Sequence, residues 1–347
     1  MRRALLVLAL VSAFAPAQDL PSKLDAHMKG LEAGNAFSGS VLAARKGKVL
    51  LAKGYGMANH ELDVPNRPGT KFRIGSVTKQ FTAVSILQLQ EQGKLALEDS
   101  VCKWIENCPE AWKKVTIHHL LSHTSGIPNF TSFADYGATQ ALPATLTSII
   151  DRFRSRPLVF EPIERWAYSN SNYILLGQVV EKASGKSYAE YVSANIFEPL
   201  KMAGTGYDDT RKIIKNRAAG YSRRLNSFVN SNYIDMSIPH AAGALYSTVE
   251  DLYLWDRALY TKTLLKKPSL DRMFTPVKSN YAYGWFVDQA ENRKRIWHGG
   301  GINGFAAMLV RYPDDDATVI VLSNVETTNT MTIVKALTGL LFAEAGK

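Results

Sequence analysis

Phe72-Arg73-Ile74-Gly75-Ser76-Val77-Thr78-Lys79-Gln80-Phe81 carries the reading of this chain. A serine and a lysine stand three residues apart, at the head of a segment whose apolar residues fall at helical spacing: Val77, Phe81, Val84 and Leu87, joined by Ala83, Ile86 and Leu89. Gly93 closes the run as a C-cap candidate. Residues i and i+3 share a helix face, so Lys79 can reach the Ser76 hydroxyl. A serine hydroxyl is a weak nucleophile until a base takes its proton, and a lysine made neutral by desolvation can be that base. The helix N-terminus adds unpaired N–H groups where negative charge would develop. The pattern is short, and Ser100-Val101-Cys102-Lys103 repeats it in a polar stretch. Further motifs must therefore decide between the two copies.

Tyr168-Ser169-Asn170 opens another apolar helix, expected over Tyr173 to Ala183. A phenol and a carboxamide beside a Ser/Lys pair can relay a proton and orient a substrate amide; Ser169 or Asn170 could equally serve as a helix N-cap. His298-Gly299-Gly300-Gly301 lies between two strand-like runs. Its glycines would let a ligand backbone approach an edge strand and leave N–H groups free to donate, or they form a glycine-rich turn.

In this order, Ser76–Lys79, Tyr168–Asn170 and His298–Gly300 resemble the three motifs of the penicillin-recognising serine hydrolases, which include class C β-lactamases, D-alanyl-D-alanine carboxypeptidases, D-aminopeptidases and family VIII esterases. The resemblance extends to His119-Leu120-Leu121-Ser122-His123-Thr124-Ser125-Gly126 and to Ile196-Phe197-Glu198-Pro199-Leu200-Lys201-Met202. It implies acyl transfer with Ser76 as nucleophile, Lys79 and Tyr168 sharing the proton transfers, and the backbone N–H groups of Ser76 and Gly301 as oxyanion hole. Asn170 would hold the Lys79 ammonium or a substrate amide, and His298, Gly299 and Gly300 would contact substrate. No cofactor is implied.

The third motif departs from the Lys-Thr-Gly of many β-lactamases. His298 stands in place of the lysine and Gly299 removes a hydroxyl. Histidine is neutral at pH 7 unless its pKa is raised, so a fixed positive charge is lost and carboxylate binding should weaken. The sequence therefore favours an esterase- or peptidase-like hydrolase over an efficient β-lactamase; a D-Ala-D-Ala carboxypeptidase or a true class C β-lactamase is the alternative. From other classes stand a non-catalytic binding or scaffold member of the family and an unrelated exported envelope-binding protein. The expected partner is a small ester, peptide or lactam substrate.

The chain has 347 residues, 46% hydrophobic and 21% charged, ordinary for a soluble globular protein. Arg2 and Arg3, the apolar run Ala4 to Phe14 and the small residues Ala15-Pro16-Ala17 read as a signal peptide over residues 1–17, placing the mature protein in the periplasm or outside the cell. The apolar run is too short to span a bilayer, and no cysteine at the cleavage site offers a lipid anchor. In such a compartment Cys102 and Cys108 are expected to pair, with two free thiols as the alternative. Removal of Arg2 and Arg3 takes the formal net charge from +10 to +8. The basic residues are scattered, without the aromatic interleaving of a nucleic-acid surface. His119 and His123 have metal-pair spacing and His118 adds an imidazole, but no acidic ligand follows, so no metal is expected. No Gly-x-Ser-x-Gly occurs, which argues against an α/β-hydrolase. Oligomeric state has no readable signal.

Strands are expected at Ser38–Ala44, Val49–Tyr55, Tyr281–Asp288, Arg295–Trp297, Phe305–Tyr312 and Thr318–Ser323, with tight turns at Lys46-Gly47 and Pro313–Asp316. Helices are expected at Leu20–Ala33, Tyr188–Ile196, Val249–Tyr260 and Thr328–Phe342. Strands at both ends and helices between them predict an α+β fold, largely antiparallel, of the β-lactamase/transpeptidase kind. Residues 18–75 and 236–347 would form one α/β region and residues 76–235 an inserted all-helical region, together one catalytic domain.

Overall fold

The computed structural model describes residues 19–225 and 227–343, so the expected signal peptide lies outside the described residues. Its main sheet is antiparallel throughout and is built from both ends of the chain. In chain order its strands are β1 (Gly39–Arg45), β2 (Lys48–Tyr55), β3 (Phe286–Ala290), β4 (Arg293–Ile302), β5 (Phe305–Tyr312) and β6 (Ala317–Ser323). Across the sheet the order is β3-β4-β5-β6-β1-β2. The first hairpin turns through Lys46 (φ 51°) and Gly47 (φ 71°), the left-handed pair that a two-residue turn requires to match the strand twist.

The sheet is buried on both faces, and the period-2 alternation assigns each side chain to a layer. Val41, Ala43, Met308, Val310, Val319 and Val321 face α1 (Leu20–Ala33) and the last helix, Thr330–Ala343. Leu42, Ala44, Ala307, Leu309, Ile320 and Leu322 face the larger core that holds α2 (Thr78–Glu91), α3 (Asn170–Ser184) and α4 (Val249–Ala258). The last helix becomes α5. Asp19 caps α1 by accepting from the Ser22 N–H at 2.9 Å, and Gln92 caps α2 just before Gly93 (φ 70°).

Five expectations shift. Ser76 sits in a 3-10 turn, Gly75–Val77, and α2 proper starts at Thr78. Residues 281–285 are not strand: Gly284 (φ 77°) turns the chain, and the Ala282 N–H donates to the Trp285 carbonyl. β4 is longer than its apolar pattern suggested, because the three glycines keep register with β5, Gly299 opposite Met308, Gly300 opposite Ala307 and Gly301 opposite Ala306. The middle region is not all helical. It carries the two-residue strand Gly206–Tyr207 and a hairpin, Tyr221–Arg224 with Ser227–Asn230, whose mixed polarity hid the alternation. The helix expected at Tyr188–Ile196 is α-helical over Tyr188–Val192 and continues as a π turn to Phe197.

Cys102 and Cys108 form a disulfide with Cα atoms 5.3 Å apart. Among the described residues no helix is long and apolar enough to cross a membrane.

Candidate active site

β4 pairs with β3 only as far as Trp297, so from His298 onward its outer edge has no strand partner among the described residues, and there it lies against the turn that carries Ser76. A side-chain carbon added at Gly300 would stand 2.0 Å from the Ile74 carbonyl oxygen, and one at Gly75 would stand 2.9 Å from the Gly301 nitrogen. Both glycines therefore let the strand and the nucleophile turn lie backbone against backbone. At Gly301 the same addition meets nothing within 4 Å. Ser76 and Gly301 both line a cavity of about 290 Å³.

Ser76 Oγ is 3.0 Å from Lys79 Nζ and accepts a hydrogen bond from the Tyr168 hydroxyl at 2.8 Å. Lys79 Nζ is also 2.9 Å from Asn170 Oδ1 and 2.9 Å from the Ala242 carbonyl oxygen. The lysine is wholly buried, and burial alone holds its pKa well below the usual lysine value. Three acceptors would suit an ammonium, but none is a carboxylate, so nothing of opposite charge offsets the desolvation. Burial pushes the Tyr168 phenol up, so it stays protonated at neutral pH.

Asn170 is held on three sides. Its N–H donates to Asn129 Oδ1 at 3.0 Å, its Nδ2 donates to Thr131 Oγ1 at 3.1 Å, and its Oδ1 faces Lys79. Ser169 occupies the N-cap position of α3 but makes no side-chain cap; the Asn129 side chain does that work instead. The cavity wall is completed by Phe130, Tyr136, Ile234, Pro239, Ile302 and Asn303, with no charged side chain.

His298 is placed differently from the sequence expectation. It is 2% exposed, and it is absent from the cavity wall. Nδ1 lies 2.6 Å from the Gly299 carbonyl oxygen and so carries the proton, while Nε2 lies 3.2 Å from the Tyr281 hydroxyl. Burial, then the nearby Lys79, lower its pKa to about 3. An imidazole spent in this way carries no charge near pH 7. Gly299 and Gly300 likewise do not line the cavity: Gly299 backs on to Met308, and Gly300 serves the strand–turn contact rather than a ligand.

His118 and His119 also have structural partners. His119 Nδ1 accepts from the Thr116 N–H in a capping box, and His118 Nδ1 pairs with the Tyr283 hydroxyl at 2.6 Å. Ser100, of the second Ser-x-x-Lys copy, caps a short turn by accepting from the Cys102 N–H. The sequence reading missed the Ala242 carbonyl, since a backbone oxygen has no residue-type signature. It also missed Thr131 and Asn129, which lie in a stretch without a motif.

The Beta-lactamase family profile matches residues 24–343, and the chain belongs to that family. It is 34% identical over 333 residues to Penicillin-binding protein 4* of Bacillus subtilis, covering 89% of this chain and 73% of that protein. The next curated relatives are longer, the chain spanning 62% and 61% of their length. Among solved structures, a penicillin binding protein from Bacillus halodurans superposes with a TM-score of 0.81 at 29% identity, covering 91% of this chain and 98% of that one. A D-stereospecific amidohydrolase from Streptomyces sp. gives 0.77 at 26% identity, covering 90% and 97%.

Proposed function

We propose that the protein is an exported serine hydrolase that works through an acyl-enzyme on uncharged ester or amide substrates. The observation that carries this is the single oxygen of Ser76 held at once by Lys79 and Tyr168 on the wall of a cavity. Neutral Lys79 donates its two N–H groups to Asn170 Oδ1 and the Ala242 carbonyl, which leaves its lone pair for the Ser76 proton. Ser76 Oγ then bonds the substrate carbonyl carbon, and the N–H groups of Ser76 and Gly301 receive the oxygen that becomes negative. The proton taken by Lys79 reaches the leaving atom by way of the Tyr168 hydroxyl. Water repeats the sequence on the acyl-enzyme and frees Ser76. Lys79 rather than Tyr168 fits the role of base, since burial favours the neutral amine and disfavours the phenolate.

The substrate class follows from the wall of the cavity. Its side chains are apolar or neutral, and His298 is an uncharged, buried imidazole, so a substrate carboxylate finds no cation there. Uncharged esters and amides suit it better than β-lactams or a free C-terminus, and the likeness to the D-stereospecific amidohydrolase agrees with the amide reading. Export rests on the charged and apolar leader and on the Cys102–Cys108 bond.

Covalent labelling by a fluorophosphonate, with kcat/KM for a neutral ester, a D-amino-acid amide and a cephalosporin, tests both parts. Labelling is expected in the wild type and absent in Ser76→Ala. Activity on the ester should rise with pH through the depressed Lys79 pKa and be lost below it, because only the neutral amine accepts the proton. A labelled Ser76→Ala would refute the nucleophile. A cephalosporin turned over as efficiently as the ester would refute the substrate class.

A further inference from the structure

We propose that His123 is the positioning residue of Tyr168: it holds the backbone on both sides of that tyrosine and one face of its ring. The proposal rests on the reading above that Tyr168 takes part in proton transfer. His123 lies in the His-Thr-Ser-Gly segment, far from Tyr168 in sequence and without contact to Ser76 among the described hydrogen bonds. The Ala167 N–H donates to the His123 carbonyl oxygen at 3.0 Å. On the other side of Tyr168, the Ser169 N–H donates to His123 Nδ1 at 3.3 Å. Between these two anchors the imidazole packs on the phenol ring, centroids 4.4 Å apart. One residue therefore sets both the path of the chain through Tyr168 and the direction in which its hydroxyl points.

The arrangement is itself held. Asn172 of α3 donates from Nδ2 to His123 Nδ1 at 3.2 Å, and its Oδ1 accepts from the Ser125 hydroxyl at 2.7 Å. The Thr124 carbonyl accepts from the Ile163 N–H at 2.8 Å, so the strap leading to Tyr168 is stitched along the same segment. His123 is fully buried and adopts a left-handed backbone (φ 59°), a conformation that a non-glycine residue keeps only when its surroundings impose it. With two donors aimed at Nδ1, the ring proton belongs on Nε2. Burial, then Lys79 and His298, hold its pKa well below the usual histidine value, so the acceptor persists across the neutral range. The other rings that face it are Tyr173, Tyr281 and Trp166, all uncharged near neutral pH.

The test is a double-mutant cycle read as kcat and KM on a neutral ester, per fluorophosphonate-labelled site. Tyr168→Phe should lower kcat about a hundredfold or more. His123→Phe, which keeps a ring but loses the acceptor, should lower kcat about tenfold with KM within about twofold. His123→Asn restores an acceptor and tolerates the left-handed backbone, and should recover part of that loss. On the Tyr168→Phe background either His123 substitution should remove less than about twofold more, because it acts through a hydroxyl already gone. Losses that multiply would overturn the proposal. Wild-type turnover in Tyr168→Phe would instead sink the catalytic reading, and this one with it. Should the variants fail to fold, nitrogen NMR of 15N-histidine wild-type protein between pH 6 and 8 decides. A His123 resonance with its proton on Nε2 is expected, and a proton on Nδ1 or an imidazolium would overturn the proposal.

Discussion

α2 and α5 are both 14-residue helices in this one structure, and they are stabilised in different ways. α5 buries an apolar stripe, Ile333, Val334, Leu337, Leu341 and Phe342, against the outer face of the sheet. Its buried Thr338 hydroxyl bonds within its own helix, to the Val334 carbonyl at 2.9 Å. α2 is buried over 12 of its 14 residues, and half of these are polar: Thr78, Lys79, Gln80, Thr82, Ser85 and Gln88. Most of these reach partners far along the chain. Thr82 Oγ1 donates to the Ala241 carbonyl at 2.7 Å, Gln80 Oε1 accepts from the Trp255 indole at 2.9 Å, and Gln88 Nε2 donates to the Asn195 carbonyl at 3.2 Å. α5 can be exchanged for another apolar stripe of equal volume. α2 cannot, because each buried polar atom left without its partner carries the full desolvation penalty. A helix that surrounds a nucleophile is thus held by directional bonds, and a helix that covers a sheet by area.

The contrast can be broken in order of size. Ser76→Ala should reduce ester turnover by about ten-thousandfold or more while stability stays near wild type. Ser100→Ala should leave turnover intact, since that serine only caps a turn. Substrate turnover and a thermal melt on both variants check this; a comparable loss in Ser100→Ala would move the site.

On α5, Leu337→Ala should cost about 2–5 kcal/mol of stability, because the side chain is fully buried in the outer layer. Its kcat, corrected for the folded fraction, should stay within about twofold of wild type. A large kcat effect would show that the outer layer is coupled to the site after all. Urea unfolding alongside kinetics separates the two quantities.

On α2, Thr82→Val removes a hydroxyl of nearly the same volume and should cost about 1–3 kcal/mol, because the Ala241 carbonyl and the Tyr188 hydroxyl, 2.8 Å away, both lose a partner. Ala242 follows Ala241 and presents its carbonyl to Lys79, so kcat should fall several-fold as well, unlike in Leu337→Ala. Equal kcat in the two variants would erase the distinction drawn between the helices.

The smallest effect is expected at the disulfide. Cys102–Cys108 closes a loop of only six residues' separation, so reduction should cost about 2 kcal/mol or less and leave kcat unchanged. Melting with and without reductant measures it.

By itself the sequence determined the antiparallel α+β architecture, because period-2 and period-3.6 apolar patterns at both ends of the chain depend on local spacing alone. The resemblance of its three motifs to those of a known family also picked out Ser76, Lys79, Tyr168, Asn170 and Gly301, which the fold does bring together. What it misjudged was direction. His298 read as a group facing substrate, yet its imidazole is buried between the Gly299 carbonyl and the Tyr281 hydroxyl. Tyr281 itself read as strand, and only the turn at Gly284 swings it over that ring. The Ala242 carbonyl, the Asn129 and Thr131 clamp on Asn170, and the hold of His123 on Tyr168 were decided by tertiary structure alone. Each of these is a hydrogen bond between residues distant in the chain, set by where a buried donor finds an acceptor, and no local pattern of residue types encodes that distance.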